Sequence, residues 1–387
     1  MRSAAGLAGL LAALACAAAG GAPPAEPGVL GSGEARGFAA ALAPRPFEFP
    51  RDHGPHPEFR HEWWYLTGNL DAADGERFGF ELTFFRFALA PPPAPGAIGA
   101  ASPPAQPRSA WRAREIYMAH FAVSDVARGR FRYAHKLSRA ALGLAGAQAE
   151  PLRVWIDDWS LRAAAAGTGG RSASWTLAAA QPGYALELTL RPLEAPVPNG
   201  RGGLSRKSDR PADASYYYSI PRLEVHGRLL RDGVPLEVQG LAWLDREWGS
   251  GALGASETGW DWFALQLDDG STLMFYALRD RDGARDPHSA GTWVASSGAV
   301  RALSSPEVQI EVTDHWTDAA GVRYPAAWRV RVPALALDLA VHPVLADQEL
   351  EVRPRYYEGA VDASGDGSGH ERRGRGYVEL VGYAGER

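Results

Sequence analysis

The sequence predicts an all-β protein made of two related antiparallel units. Three observations predict it: short alternating or aromatic-rich runs, Asp-Gly pairs that punctuate them, and motifs that recur in the same order in both halves of the chain. The pairs are Asp74-Gly75, Asp232-Gly233, Asp269-Gly270, Asp282-Gly283 and Asp366-Gly367. Between alternating runs such pairs mark hairpins, because glycine takes positive φ without a steric penalty. No long stretch combines helical periodicity with caps.

In chain order, Arg2 precedes an apolar run from Ala4 to Ala15 and then small residues, the layout of a secretory signal peptide over residues 1–21. That run is shorter than the ~20 residues a bilayer span needs. Ala13-Leu14-Ala15 before Cys16 is close to a bacterial lipobox, so Cys16 is the expected lipidation site; the alternative is an ordinary signal-peptidase site. The expected location is the periplasm, with membrane anchoring through Cys16 if the lipobox is used. Cys16 is the one cysteine, which leaves the mature body without a disulfide or thiol nucleophile. A Gly/Pro/Ala-rich spacer covers 22–49, a first domain 50–244 and a second 245–387. Within the first, Trp63 to Leu70, the turn at Asp74-Gly75, and Phe78 to Leu89 read as two antiparallel strands, and the proline-rich stretch from Ala90 to Gln106 as an inserted loop.

Self-comparison carries the two-unit reading. Trp63-Trp64-Tyr65-Leu66 leading to Asp74-Gly75 is echoed by Trp260-Asp261-Trp262-Phe263 leading to Asp269-Gly270. Trp175 leading to Leu190-Arg191-Pro192 matches Trp328 leading to Val341-His342-Pro343, and Tyr217-Tyr218 leading to Val238-Gln239-Gly240 matches Tyr356-Tyr357 leading to Leu380-Val381-Gly382. A duplicated β-unit with longer loops in its first copy explains all three, and units of this size suit barrels or sandwiches that leave few open edges.

Composition narrows the function. The 387 residues carry 40 basic and 45 acidic side chains, a net charge of −5, so no bulk positive field awaits a polyphosphate and nucleic acid is not an expected partner. Thirteen tryptophans suit aromatic pocket walls and large sheet cores alike.

His61-Glu62-Trp63-Trp64-Tyr65, Phe80-Glu81-Leu82-Thr83-Phe84-Phe85-Arg86, Tyr117-Met118-Ala119-His120-Phe121 and Trp243-Leu244-Asp245-Arg246-Glu247-Trp248-Gly249 resemble the AttH-like proteins. These are bacterial secreted or lipoprotein components encoded beside lipoprotein-export-type ABC transporters, and they share an N-terminal domain with carotenoid 1,2-hydratase (CrtC). The resemblance covers about Pro50 to Gly385 and implies tandem lipocalin-like antiparallel β-barrels. It also implies a hydrophobic or lipid-like ligand and an ABC transporter permease as partner. The hydratase pattern places a histidine where Arg246 stands, and an aspartate on a strand where Phe275-Tyr276-Ala277 offers no carboxylate. Arginine stays charged and is no proton donor to carbon at neutral pH.

His61-Glu62 lacks the second histidine of a zincin helix, since Tyr65 stands there, and the spacing of His53, His56, His61 and His120 fits no metal-ligand frame; no metal and no cofactor is expected. Gly249-Ser250-Gly251 and Gly367-Ser368-Gly369 are too short for a nucleophile elbow. Charged residues inside aromatic strands are more telling. Alternate side chains on a strand face opposite ways, so Glu62 and Trp64 share one face and Trp63 and Tyr65 the other. Trp64, Glu62, Arg86, Arg246, Trp248 and Trp262 are the candidate ligand-binding residues, and Glu81, His120 and Asp245 the candidate acids. Asp245-Arg246-Glu247-Trp248 reads either as an ion-pair knot between domains or as part of the site, with Glu62 or Glu81 as the cross-strand partner of Arg246. The leading expectation is a ligand-binding protein serving an envelope transporter; the alternative is a hydratase or lyase acting on an isoprenoid.

Overall fold

The computed structural model describes residues 35–92, 113–163, 174–251, 253, 257–367 and 369–384. The leader, Cys16, the first part of the spacer and most of the proline-rich loop lie outside the described residues. Thirteen strands form a first antiparallel sheet: β1 (His61–Ala72), β2 (Arg77–Ala88), β3 (Glu115–Asp125), β4 (Arg130–Arg139), β5 (Ala145–Ala149), β6 (Leu152–Ile156), β7 (Trp159–Ala163), β8 (Trp175–Gln181), β9 (Tyr184–Pro192), β10 (Val197–Pro198), β11 (Leu204–Arg206), β12 (Ala214–Arg231) and β13 (Val234–Gly249). Ten form a second: β14 (Glu257–Leu267), β15 (Thr272–Asp280), β16 (Ala290–Val294), β17 (Val300–Ser304), β18 (Gln309–Thr317), β19 (Arg323–Val332), β20 (Leu337–Pro343), β21 (Glu349–Leu350), β22 (Tyr356–Gly367) and β23 (His370–Val381).

The strand orders establish the duplication. The first sheet runs β4-β3-β2-β1-β13-β12-β9-β8-β7-β6-β5 and the second β17-β16-β15-β14-β23-β22-β20-β19-β18. Each first strand lies between the second strand and the last strand of its unit, and every sequence echo falls on matching strands: β1 with β14, β8–β9 with β19–β20, β12–β13 with β22–β23. The first copy adds β5 and β6, which bring its far edge round to β4. Lys136 on β4 pairs there with Asp157 at 3.6 Å, and Phe121 meets Trp159 at 5.6 Å, so the first sheet is nearly a closed barrel. The second, without those strands, is a half-barrel. β13 runs unbroken through Gly249, so the change of sheet falls after the Asp245–Trp248 tetrad rather than at the expected 244/245 boundary.

The sheets pack face to face. Gly79 allows this approach: a Cβ there would lie 2.6 Å from that of Ala360 on β22. Arg375 grips Asp71 at 2.7 Å, Arg77 grips Asp362 at 2.6 Å, and Asn69 Nδ2 donates to Gly376 O at 3.1 Å, tying β1 and β2 to β22 and β23.

The first barrel's interior is filled from the N-terminal side. Phe47 packs on Tyr216, Tyr218 and Trp248, His53 Nδ1 meets the Tyr218 hydroxyl at 2.7 Å, and Trp64 Nε1 donates to His53 O at 2.9 Å. Beneath this plug Glu62 is fully buried and accepts from Arg246 Nη2 at 2.7 Å, Arg86 Nη1 at 3.1 Å and the His56 amide at 3.0 Å. His56 stacks on Trp248 at 3.9 Å, and the Arg246 guanidinium lies 3.8 Å from the Trp64 ring centre. Burial alone would raise the Glu62 pKa, but Arg246, His56 and Arg86 together hold it well below the usual carboxylate range.

Removing Arg246 would leave Glu62 in the dry interior without its closest cation. Arg246→Ala is therefore expected to cost roughly 3–5 kcal/mol of folding stability, read by denaturant unfolding. Because the folded pKa of Glu62 is depressed, its stabilisation is present above the unfolded carboxylate value, about 4.3, and lost as the pH falls below it. A Glu62→Gln chain should lack that acid-limb loss; an unchanged midpoint in Arg246→Ala would remove the knot from the fold's support.

Candidate functional site

The opposite face of the same strands makes the site. Each step along β13 reverses the side chain, so Trp243, Asp245 and Glu247 point away from the barrel interior and toward the second sheet. The ladder aligns Tyr65, Asp245 and Ser219 across β1, β13 and β12, while on the other sheet Tyr276, Trp262, Glu379 and Glu358 align across β15, β14, β23 and β22. Between the two rows lies a narrow cleft. Trp63, Tyr65, Phe85, Tyr217, Trp260, Trp262 and Tyr276 wall it, and Asp245, Glu247, Glu379 and Lys207 supply its charged groups.

Asp245 is held by three donors: Ser219 Oγ at 2.5 Å, Trp243 Nε1 at 2.6 Å and the Tyr217 hydroxyl. Tyr217 in turn accepts from Trp262 Nε1 at 3.1 Å, which links the acid to the facing sheet. Burial raises the Asp245 pKa; the three donors oppose it and the neighbouring Glu247 adds to it, leaving the carboxyl near 7. Glu379 has one donor, Trp260 Nε1 at 2.8 Å; burial, against that bond and with the charges of Asp245 and Glu247, also brings it to about 7. Lys207, just past β11, pairs with Glu247 at 3.0 Å, donates to Ser205 at 3.1 Å, and stands 4.2 Å from the Tyr276 ring centre. Burial works against its charge, but Glu247 more than compensates, so its pKa is raised and it remains an ammonium ion.

Of the residues singled out from sequence, Asp245 and Trp262 line this cleft. Trp64, Glu62, Arg86, Arg246 and Trp248 do not; they form the knot beneath the plug, where the N-terminal segment fills the space a ligand would need. Arg246 does take Glu62 as its cross-strand partner. Glu81 and His120 face the second sheet but lie sealed behind the cleft, His120 with its Nδ1 2.6 Å from the Tyr356 hydroxyl and its pKa lowered by burial to about 3. Sequence reasoning missed Glu379, Lys207 and the tyrosines. Glu379 carried a signal of the same kind as Glu81, a lone carboxylate between apolar strand residues Val378 and Leu380. No group of residues that could hold a metal ion occurs among the described residues.

Two curled antiparallel sheets from a duplicated unit, with an acid-bearing aromatic cleft between them, define a lipocalin-like two-unit protein. The AttH-like family matches residues 40–383, and the chain belongs to that family. It is similar in structure to an AttH-type protein from Nitrosomonas europaea, with 34% identity and a TM-score of 0.74 over 88% of this chain and 100% of that one. It also shares its fold with kievitone hydratase from Nectria haematococca, at 15% identity and a TM-score of 0.64 over 89% of this chain and 95% of the hydratase. In sequence it is 26% identical over 216 residues to the dehydratase asqC of Emericella nidulans, covering 52% of this chain and spanning 59% of the dehydratase's length.

The hydrogen bonds to Asp245 favour its charged form, so deleting one should raise its pKa further. Tyr217→Phe is expected to shift the titration of cleft tryptophan fluorescence to higher pH; a midpoint that stays put would mean that this bond leaves the acid untouched.

Proposed function

We propose that the chain is a hydro-lyase that adds water to, or removes it from, an apolar unsaturated small molecule held in the inter-sheet cleft. The observation that carries the reading is the pair Asp245 and Glu379, presented from opposite sheets across one aromatic cleft, where burial lifts both carboxyls to about 7. Carboxyls tuned to the working pH serve as both proton donor and acceptor. Asp245, with three donors, is the better-stabilised carboxylate and takes the role of base; Glu379, with one, takes that of acid. In hydration the acid gives its proton to the alkene carbon while the base accepts a proton from the water whose oxygen bonds the neighbouring carbon. Dehydration runs the same steps backwards. That relatives include a hydratase and a dehydratase supports the class.

A carrier for a hydrophobic or lipid-like ligand, serving an ABC transporter, would use the same rings but leave the two tuned acids without a task. The rings themselves are common to both readings: Trp262→Ala should weaken apolar-dye binding by ~1 kcal/mol or more. The expected periplasmic location and lipid anchor stay part of this proposal, and Cys16→Ser should move the protein from the membrane fraction to the soluble one.

The decisive experiment incubates the purified chain with isoprenoid alkenes and the matching tertiary alcohols and follows gain or loss of one water by mass spectrometry. Turnover should follow a bell-shaped pH profile centred near neutrality and fall ~10²–10⁴-fold in Glu379→Gln or Asp245→Asn with the melting temperature not lowered. Turnover unaffected by both substitutions would overturn the assignment of the acids, and dye binding without any turnover across the panel would favour the carrier.

A further inference from the structure

Behind the cleft, away from its mouth, the two sheets enclose a second set of polar groups that the assignment of Asp245 and Glu379 does not use. Glu81 on β2 is 0% exposed, with Thr83, two residues along the strand, as its nearest donor and no cation against it; His120 Nε2, on the neighbouring strand β3, is unpartnered. Glu358 on β22, also 0% exposed, accepts the Tyr65 hydroxyl at 2.8 Å on one oxygen and has nothing on the other. The groups that bear on the two acids are Tyr65 from β1, Thr83 from β2 and Glu379 from β23, besides each other, with the hydroxyls of Tyr356 on β22 and Tyr377 on β23 close enough to feel both charges. None of these is cationic, and neither acid has an ion-pair partner among the described residues.

Such acids contrast with Glu62 in the barrel, where two arginines sustain the charge. A bare carboxylate in a dry interior costs far more than a neutral acid. One group joins this chamber to the cleft: Tyr65, which lines the cleft with its ring and reaches Glu358 with its hydroxyl.

We propose that Glu81 and Glu358 form a buried proton store for the cleft, with the Tyr65 hydroxyl as the connection between them. The Tyr65 hydroxyl, bonded to Glu358 and lining the cleft, lets a proton pass between Glu358 and the cleft, where a Glu379 that has given its proton to carbon is recharged. Asp245, which takes a proton from water, gives it back to the cleft, so each cycle ends as it began. The relay step rests on the hydro-lyase reading; the store does not. Burial, with the mutual repulsion of the carboxylates, holds both acids well above their ordinary range, in keeping with a proton retained at neutral pH.

The test uses the full chain and needs no substrate. Infrared spectra at neutral pH should show a protonated-carboxyl C=O band that survives in the Asp245→Asn/Glu379→Gln double variant and loses part of its intensity in each of Glu81→Gln and Glu358→Gln. On transfer to heavy water the band should shift promptly in wild type and several-fold more slowly in Tyr65→Phe. Glu81→Gln also gives a stability readout. With a raised folded pKa, Glu81 stabilises the fold below the unfolded carboxylate value, about 4.3, and loses that stabilisation as pH rises. The wild-type melting temperature should therefore fall over that range more steeply than that of Glu81→Gln. Absence of the band in the double variant, or exchange as fast in Tyr65→Phe as in wild type, would overturn the proposal. Should the glutamine variants fail to fold, the double variant and Tyr65→Phe still decide it. A band with the expected exchange but no turnover on any substrate would retain the store and reject the hydro-lyase reading alone.

Discussion

β13 is paired on both sides, by β1 and by β12, so its side chains have only two places to go. Leu244, Arg246 and Trp248 enter the first barrel and meet the plug; Trp243, Asp245 and Glu247 enter the space between the sheets. A slip of one residue in the ladder would exchange these sets, putting Arg246 into an aromatic cleft and Asp245 among Trp64, Tyr218 and the plug. The clamp of Arg246 on Glu62 opposes such a slip, because it closes only when β1 and β13 stand in the observed register. The knot that supports the barrel thus also sets the position of the cleft acid one residue away.

The molecule treats buried carboxyls in two ways. Glu62 is surrounded by Arg246, Arg86 and the His56 amide, and the Coulombic attraction outweighs the loss of hydration, so the group stays charged. Asp245, Glu81 and Glu358 are likewise buried and Glu379 is partly buried at the cleft, but these acids have hydroxyls or indole nitrogens rather than cations around them, and desolvation wins. Asp245, with three donors, comes back to the neutral range, whereas Glu358, with one donor and the charges of Glu379 and Glu81 beside it, is held well above the ordinary carboxylate range, as is Glu81. Lys207 shows the converse, an ammonium kept charged under burial by Glu247.

Much of the fold was legible because period-two alternation and Asp-Gly turns are local signals, and because the duplication repeated them in order. The nearly closed barrel and the half-barrel differ by β5 and β6, short strands around Gly146 and Trp155 with no alternation long enough to announce them. Strand parity correctly separated Glu62 from Trp63, and of the two carboxylates it left open for Arg246, Glu62 and Glu81, the structure takes Glu62. It could not say which face held the site, because that depends on residues 44–57 folding back into the first barrel, and nothing in Pro44 to Pro57 marks a plug. Glu379 belongs to a strand more than a hundred residues from Asp245, and only the packing of sheet on sheet makes them neighbours.

The sheets are joined by Arg375 with Asp71, Arg77 with Asp362 and Asn69 with Gly376, all far along the strands from the cleft mouth. Asp245 and Glu379 belong to different sheets, so the field each acid feels is set by the gap those contacts maintain. A change in the spacing of the sheets, arising anywhere along the interface, alters the repulsion between the acids and with it the proton affinity of both. Substitutions that merely loosen or tighten the packing therefore act on the site as a tuning control. A lineage carrying this fold can retune its acids through the interface while every residue in the cleft is retained.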